Sequence, residues 1–198
     1  MKKKQRKKVF GVGVNDCMDG VMGVDGKLKP CYRHWYNMLA RCYNEKTKQK
    51  APHCEGCEVC DEWKRFSNFK EWYDEHYVEG WQLDKDILVK YNRVYSPQTC
   101  CFVPQEINSL FTKRTRDRGL YPIGVYYDSK GWRKRFVARV VVDGKIKFIG
   151  HYFTPEEAFL AYKEKKELNI KQVADRYKEQ IESRVYEAMY NYEVEITD

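Results

Sequence analysis

No stretch of this 198-residue chain is apolar for long enough to cross a bilayer, so no membrane-spanning helix is expected. The basic opening, MKKKQRKKVF, has no apolar stretch behind it, which argues against a secretory signal. Without export a disulfide framework is not expected. The eight cysteines (Cys17, Cys31, Cys42, Cys54, Cys57, Cys60, Cys100 and Cys101) are then buried thiols or metal ligands. Histidine is scarce: His34, His53, His76 and His151 are the only four, and each alone reads as an ordinary surface or core histidine. The glycine-rich stretch 9–30 holds five Gly among alternating Val, but no helix pattern follows at the spacing a dinucleotide fingerprint needs. It reads as short strands or a hairpin.

What is present is a folded core and an uneven charge. The chain is 42% hydrophobic and 15% aromatic, too much for a disordered segment. Residues 1–8 carry +6 and residues 111–151 carry +8, whereas residues 155–198 carry −4. A basic arm and a basic middle on a neutral-to-acidic frame suggest a polyanion partner.

Residues 31–45 predict a helix with Trp35, Met38, Leu39 and Cys42 on one stripe, and residues 61–77 a second with Trp63, Phe66, Phe69 and Trp72. Gly80 ends the second, and a strand over Leu83–Leu88 follows, carrying Asp84 and Asp86. Alternation puts both carboxylates on one face, where a hard divalent ion could bind. Cys57-x-x-Cys60 is half of a zinc site, with Cys100 and Cys42 among the candidates to complete it. After a basic linker ending at Pro122, strands are expected at 124–127, 133–142 and 145–153. Asp143-Gly144 makes the tight turn between the last two. Thr154, Pro155 and Glu157 have the chemistry of a helix start, and a further helix is expected at about 171–192. Alternation in the middle strand sets Arg133, Arg135 and Arg139 on one face. Trp132, Lys134, Phe136, Ala138, Val140 and Val142 take the other, against Ala158, Phe159, Ala161 and Tyr162.

The pieces GVYYDSKG, FVARV and FIGHYFTPEEAFLAY resemble an AP2-type DNA-binding domain in order and spacing. The resemblance implies a three-stranded antiparallel sheet packed on a helix, with the open sheet face in a DNA groove. Arg133, Arg135, Arg139, Trp132 and Tyr126 would contact the duplex, and Lys145 and Lys147 would grip phosphate. Tyr126 and Arg139 stand where the plant-type pattern has an Arg and a Glu, so sequence preference does not transfer. Upstream, WYNMLARCYN, CEVCDEWKRFSNFKEW, LDKDIL and YSPQTCCFVPQEIN resemble phage endonucleases of the His-Asn-His (HNH) type, which are often fused to AP2 domains.

That second resemblance implies a ββα-metal-like module in which Asp84 and Asn108 hold Mg²⁺ or Mn²⁺. The histidine general base is replaced by Lys85, a poor base unless buried. Asp84, Asp86, Asn108 and Lys85 are therefore the candidate catalytic set, with Asp84, Asp86 and Asn108 as metal ligands. The expected organisation is α+β: a basic arm (1–8), an HNH-like module (9–112), an AP2-like domain (121–170) and a helical extension (171–198). The implied function is a metal-dependent endonuclease acting on double-stranded DNA in the cytoplasm of a phage-infected cell, with no membrane. The alternatives are a non-cutting DNA-binding regulator, or an inhibitor binding another protein through the aromatic N-terminal half.

Overall fold

Aromatic stripes at helical spacing organise the first half of the chain, and strand alternation the second. The computed structural model describes residues 7–18, 20–112, 120–130, 133 and 135–198. Trp132, Lys134 and most of the expected basic arm lie outside the described residues. The chain is a mixed α+β protein with small sheets, divided into two units, Met1–Gln105 and Glu106–Asp198. Among the described residues, no helix is long and apolar enough to cross a membrane.

The first unit is built on α1 (Pro30–Tyr43) and α3 (Phe66–His76), with the short α2 (Glu45–Lys50) between them. Trp35, Met38, Leu39 and Cys42 of α1 meet Phe66, Phe69 and Trp72 of α3 in one core, with Trp63 from the turn of 3-10 helix before α3. Burying the Trp35 indole leaves a donor to satisfy, and its Nε1 donates to the Trp63 carbonyl at 2.7 Å. Arg65 cannot cap α3, so Asp16 does it from a distance: its carboxylate accepts from the Ser67 N–H at 2.9 Å and the Ser67 hydroxyl at 2.8 Å. The glycine-rich opening forms isolated bridges, Val9 with Gly13 and Met22 with Leu28, instead of continuous strands. Two small ladders complete the unit. β1 (Glu58–Val59) runs parallel to β3 (Val94–Tyr95), and β2 (Gln82–Asp84) antiparallel to β4 (Cys101–Val103).

The second unit begins within α4 (Gln105–Phe111). A three-stranded antiparallel sheet follows, in the order β5 (Val125–Tyr127), β6 (Phe136–Val142), β7 (Lys145–Tyr152). Asp143 and Gly144, at φ +49° and +72°, make the expected tight turn. Thr154 caps α5 (Pro155–Tyr177) by accepting from the Glu157 N–H at 3.1 Å. The helix expected to start near residue 171 is instead the continuation of α5, because Ile170, Val173 and Ala174 extend its buried stripe; only α6 (Ser183–Tyr190) is separate. Glu106 ties α4 into the same unit, accepting from Arg176 at 2.5 Å and from the Tyr177 hydroxyl at 2.8 Å.

One face of the sheet lies on α5. Phe136, Ala138, Val140 and Val142 pack with Ala158, Phe159 and Tyr162, as alternation predicts. The register on β7 is broken by a bulge: Ala138 pairs with Gly150, but the next residue, Arg139, pairs with Phe148. Ile149 is the extra residue. The bulge decides which side chains of β7 face outward.

Candidate nucleic-acid interface and the Asp84–Asn92 turn

Tyr126, Val137, Arg139 and Val141 lie on the sheet face away from α5. Their partners on β7 are His151, Phe148 and Ile146, opposite Val137, Arg139 and Val141 respectively. Tyr126, Val141, Ile146 and Phe148 are each about half exposed or more. The Arg139 guanidinium sits 5.3 Å from the Tyr126 ring centre, a cation–π contact that holds it upright on the face. The His151 and Phe148 rings are 5.1 Å apart. Arg139 makes no ion pair among the described residues.

The other expected contacts are distributed differently. Lys145 and Lys147 pair with Val142 and Val140, whose side chains face α5, so the bulge moves both lysines to the helix side of the sheet. Lys147 there lines a cleft with Lys165, Leu168 and Asn169 of α5. Arg135 donates to the Tyr127 hydroxyl at 3.0 Å. Arg133 is exposed, ahead of the strand. The outward Ile146 and Phe148 do not stand out in the sequence as face residues. Gly150 beside a run of alternating residues is the one signal of the bulge that exposes them.

The Asp84–Asp86 segment also differs from expectation. β2 ends at Asp84, so alternation does not carry on to Asp86. The cause is the Asp84 side chain itself. Its Oδ1 accepts from the backbone N–H groups of Asp86 at 2.7 Å and Ile87 at 2.8 Å, turning the chain. Burial holds the Asp84 carboxyl above the ordinary carboxylate range, against the pull of those two N–H groups.

Lys85 is buried, with only 8% of its side chain exposed. Its ammonium donates to Asp86 Oδ1 at 2.6 Å and to the Asn92 carbonyl at 3.0 Å. Asn92 returns the contact, donating to the carbonyls of Lys85 and Val94 at 2.8 Å each. This clasp does not fit a divalent ion shared by Asp84 and Asp86. A fixed cation already neutralises Asp86, and the Asp84 oxygen that faces the turn is committed to backbone. Asn108 lies on α4 in the second unit, so no single unit brings the three expected ligands together.

The cysteines pair differently from the expected Cys57–Cys60 half-site. Cys57 is hydrogen-bonded to Cys54, three residues before it. The Cys54–Cys57 turn is closed by the Cys57 N–H on the Cys54 carbonyl at 3.0 Å, with Gly56 at φ +71° supplying the conformation. The bond from Cys54 and the nearby Lys85 and Arg93 hold the Cys57 thiol below its ordinary value, whereas burial pushes Cys42, Cys31 and Cys100 each up to about 12. Cys42, Cys54, Cys57 and Cys100 share the first unit's core. Among the described residues no three His, Cys, Asp or Glu side chains gather as a metal site. His34, packed against Phe102 and Tyr77, and His76, stacked on Trp72, are core-flanking rings.

Comparison with protein-family models, with curated proteins and with solved structures returns no match to this chain.

Proposed function

We propose that this is a duplex-DNA-binding protein that reads its site with the open face of the second unit's sheet, in the manner of an AP2-type domain, and acts as a regulator or architectural protein. The observation that carries this is Arg139. It is held by Tyr126, has no internal ion pair among the described residues, and is flanked by exposed Phe148, Ile146 and Val141 on a face whose reverse is sealed by α5. An arginine presented this way can take guanine O6 and N7 bidentately, and the apolar side chains around it suit thymine methyl groups. The +8 charge of residues 111–151 supplies the sequence-independent part of the attraction.

The resemblance of the first unit to HNH endonucleases favours ancestry more than activity, because Lys85 takes up the electrostatic role a metal would have in the Asp84–Asp86 turn. The test is binding of the purified chain to duplexes selected from a random pool. Arg139→Ala is expected to lose about 1–3 kcal/mol of affinity and to relax preference at one base pair. Lys145→Ala with Lys147→Ala should weaken all sequences slightly and equally. Unchanged affinity in Arg139→Ala would sink the assignment. Plasmid cleavage with Mg²⁺ or Mn²⁺ that disappears in Asp84→Ala would restore the endonuclease reading.

A further inference from the structure

The first unit has a cleft of about 450 Å³ between α1 and the segment 77–83. One wall is a stripe of α1. Arg33, Asn37 and Arg41 follow at intervals of four and share a helix face, spanning roughly 12 Å at 1.5 Å per residue. The facing wall carries Trp81 and Gln82.

The fold leaves much of this polar lining unspent. Arg33 and Asn37 are exposed, and neither side chain has an ion-pair or hydrogen-bond partner among the described residues. Arg41 donates to the Tyr95 hydroxyl, which fixes its guanidinium without neutralising it. His34 adds no charge, since burial lowers its pKa against the opposing pull of the Pro30 carbonyl 2.9 Å from its Nδ1. Glu79 is the acidic residue on the rim. The lining is thus two guanidinium groups and an amide in a row, facing a partly buried indole.

Each element has a chemical preference. Guanidinium forks match phosphate oxygens, an amide can bridge between phosphates or meet a base edge, and an indole face takes any base by stacking. A free inorganic anion would use the row and leave the indole idle. A regular duplex would present phosphates but no base face.

We propose that this cleft takes an unpaired stretch of a nucleic-acid strand, with its phosphates along Arg33, Asn37 and Arg41 and a base against Trp81. The assignment uses first-unit residues alone, so it stands or falls apart from the sheet-face reading of the second unit. It gives the chain a place to hold a strand end, a bubble or a flipped nucleotide.

The experiment uses the full chain and a single-stranded oligonucleotide carrying 5-iododeoxyuridine. Irradiation should cross-link it within residues 77–83, most strongly at Trp81. By fluorescence anisotropy, Arg33→Glu should weaken single-strand binding by about tenfold or more, and Trp81→Ala by about tenfold. Neither should alter duplex binding that depends on Arg139. Should Trp81→Ala fail to fold, Trp81→Phe with an abasic strand as competitor makes the same comparison, because an abasic strand keeps the phosphates and loses the stacking base. Cross-links confined to other segments overturn the proposal. So does single-strand affinity unchanged by Arg33→Glu, or equal binding of the abasic strand, which would leave an anion site only.

Discussion

Alanine at Gly124 should destabilise the second unit more than alanine at Gly144, and the difference should trace to one ring. Both glycines have positive φ, +76° and +72°. An L-residue forced into that region costs about 1 kcal/mol at either position. Around Gly144 a new Cβ would meet no atom within 4 Å. At Gly124 it would overlap the Tyr162 ring, falling on its Cδ2, Cγ and Cε2 atoms. Tyr162 is 6% exposed and packed among Val125, Ala138 and Phe159, so its ring cannot swing aside without disturbing the sheet–helix core. Overpacking of this kind adds about 1–3 kcal/mol. The expected losses are therefore about 2–4 kcal/mol for Gly124→Ala and about 1 kcal/mol for Gly144→Ala.

The same position bears on function. The Gly124 carbonyl accepts from the Arg139 N–H at 2.9 Å, next to the bulge. A shift of Gly124 would displace the strand segment that presents Arg139, so Gly124→Ala should also weaken duplex binding. Urea unfolding followed by near-UV circular dichroism measures the stability, and a cycle with Tyr162→Leu isolates the ring. If the cost of Gly124→Ala is the same in the Tyr162→Leu background, or no larger than that of Gly144→Ala, the packing argument is wrong.

Two other substitutions probe the first unit. Folding favours the protonated form of Asp84, whose pKa is raised above 3.8, so its contribution to stability falls as pH rises from 3.8 through the folded value. Asp84→Asn keeps the Oδ1 acceptor and removes the charge. It should be at least as stable as the parent at neutral pH and lose that pH dependence, whereas Asp84→Ala strands two N–H groups and should cost about 1–3 kcal/mol; equal damage from both would refute the capping role. Among the core thiols Cys31, Cys42, Cys57 and Cys100, Cys57 should ionise at the lowest pH, as read by ultraviolet thiolate absorbance in single Cys→Ser variants. Because its folded pKa lies below 9.0, the stabilisation is present above that pH and is lost as pH falls towards the folded value, a trend that Cys57→Ser should remove. Ionisation of Cys57 at no lower pH than Cys42 or Cys100, or a stoichiometric zinc ion shielding Cys54 and Cys57, would overturn the thiolate assignment.

How much was legible in the sequence depended on the range of the interaction responsible. The α5 start was legible because Thr154, Pro155 and Glu157 act within one turn, and the hairpin because Asp143-Gly144 needs only its own backbone. The helix-facing side of β6 was legible because alternation within a strand is local. The fate of β7 was not: a bulge shifts the register by one residue and trades Lys145 and Lys147 for Ile146 and Phe148, and it depends on packing against β6 and α5 together. The strand end at Asp84 depends on a side chain competing for backbone donors, an outcome that carboxylate spacing alone does not reveal. Likewise Cys54–Cys57 and Cys57–Cys60 have the same spacing, and Gly56 at positive φ decides between them.

Formal charge is a poor guide to where this chain meets an anion, because many of its cations already have internal partners. Lys85 is committed to Asp86 and the Asn92 carbonyl, Arg176 to Glu106 and Lys163 to Glu167. A cation held this way gains little from a phosphate, since binding would first have to break a bond inside the protein. Arg139 and Arg33 differ in kind. Each has an exposed guanidinium without an ion pair among the described residues, and each is set beside aromatic surface, Tyr126 and Phe148 in one case and the Trp81 cleft in the other. The Asp84–Asp86 turn keeps its charges paired inward through Lys85, whereas Arg139 and Arg33 keep theirs outward, and the two proposed contacts rest on that difference.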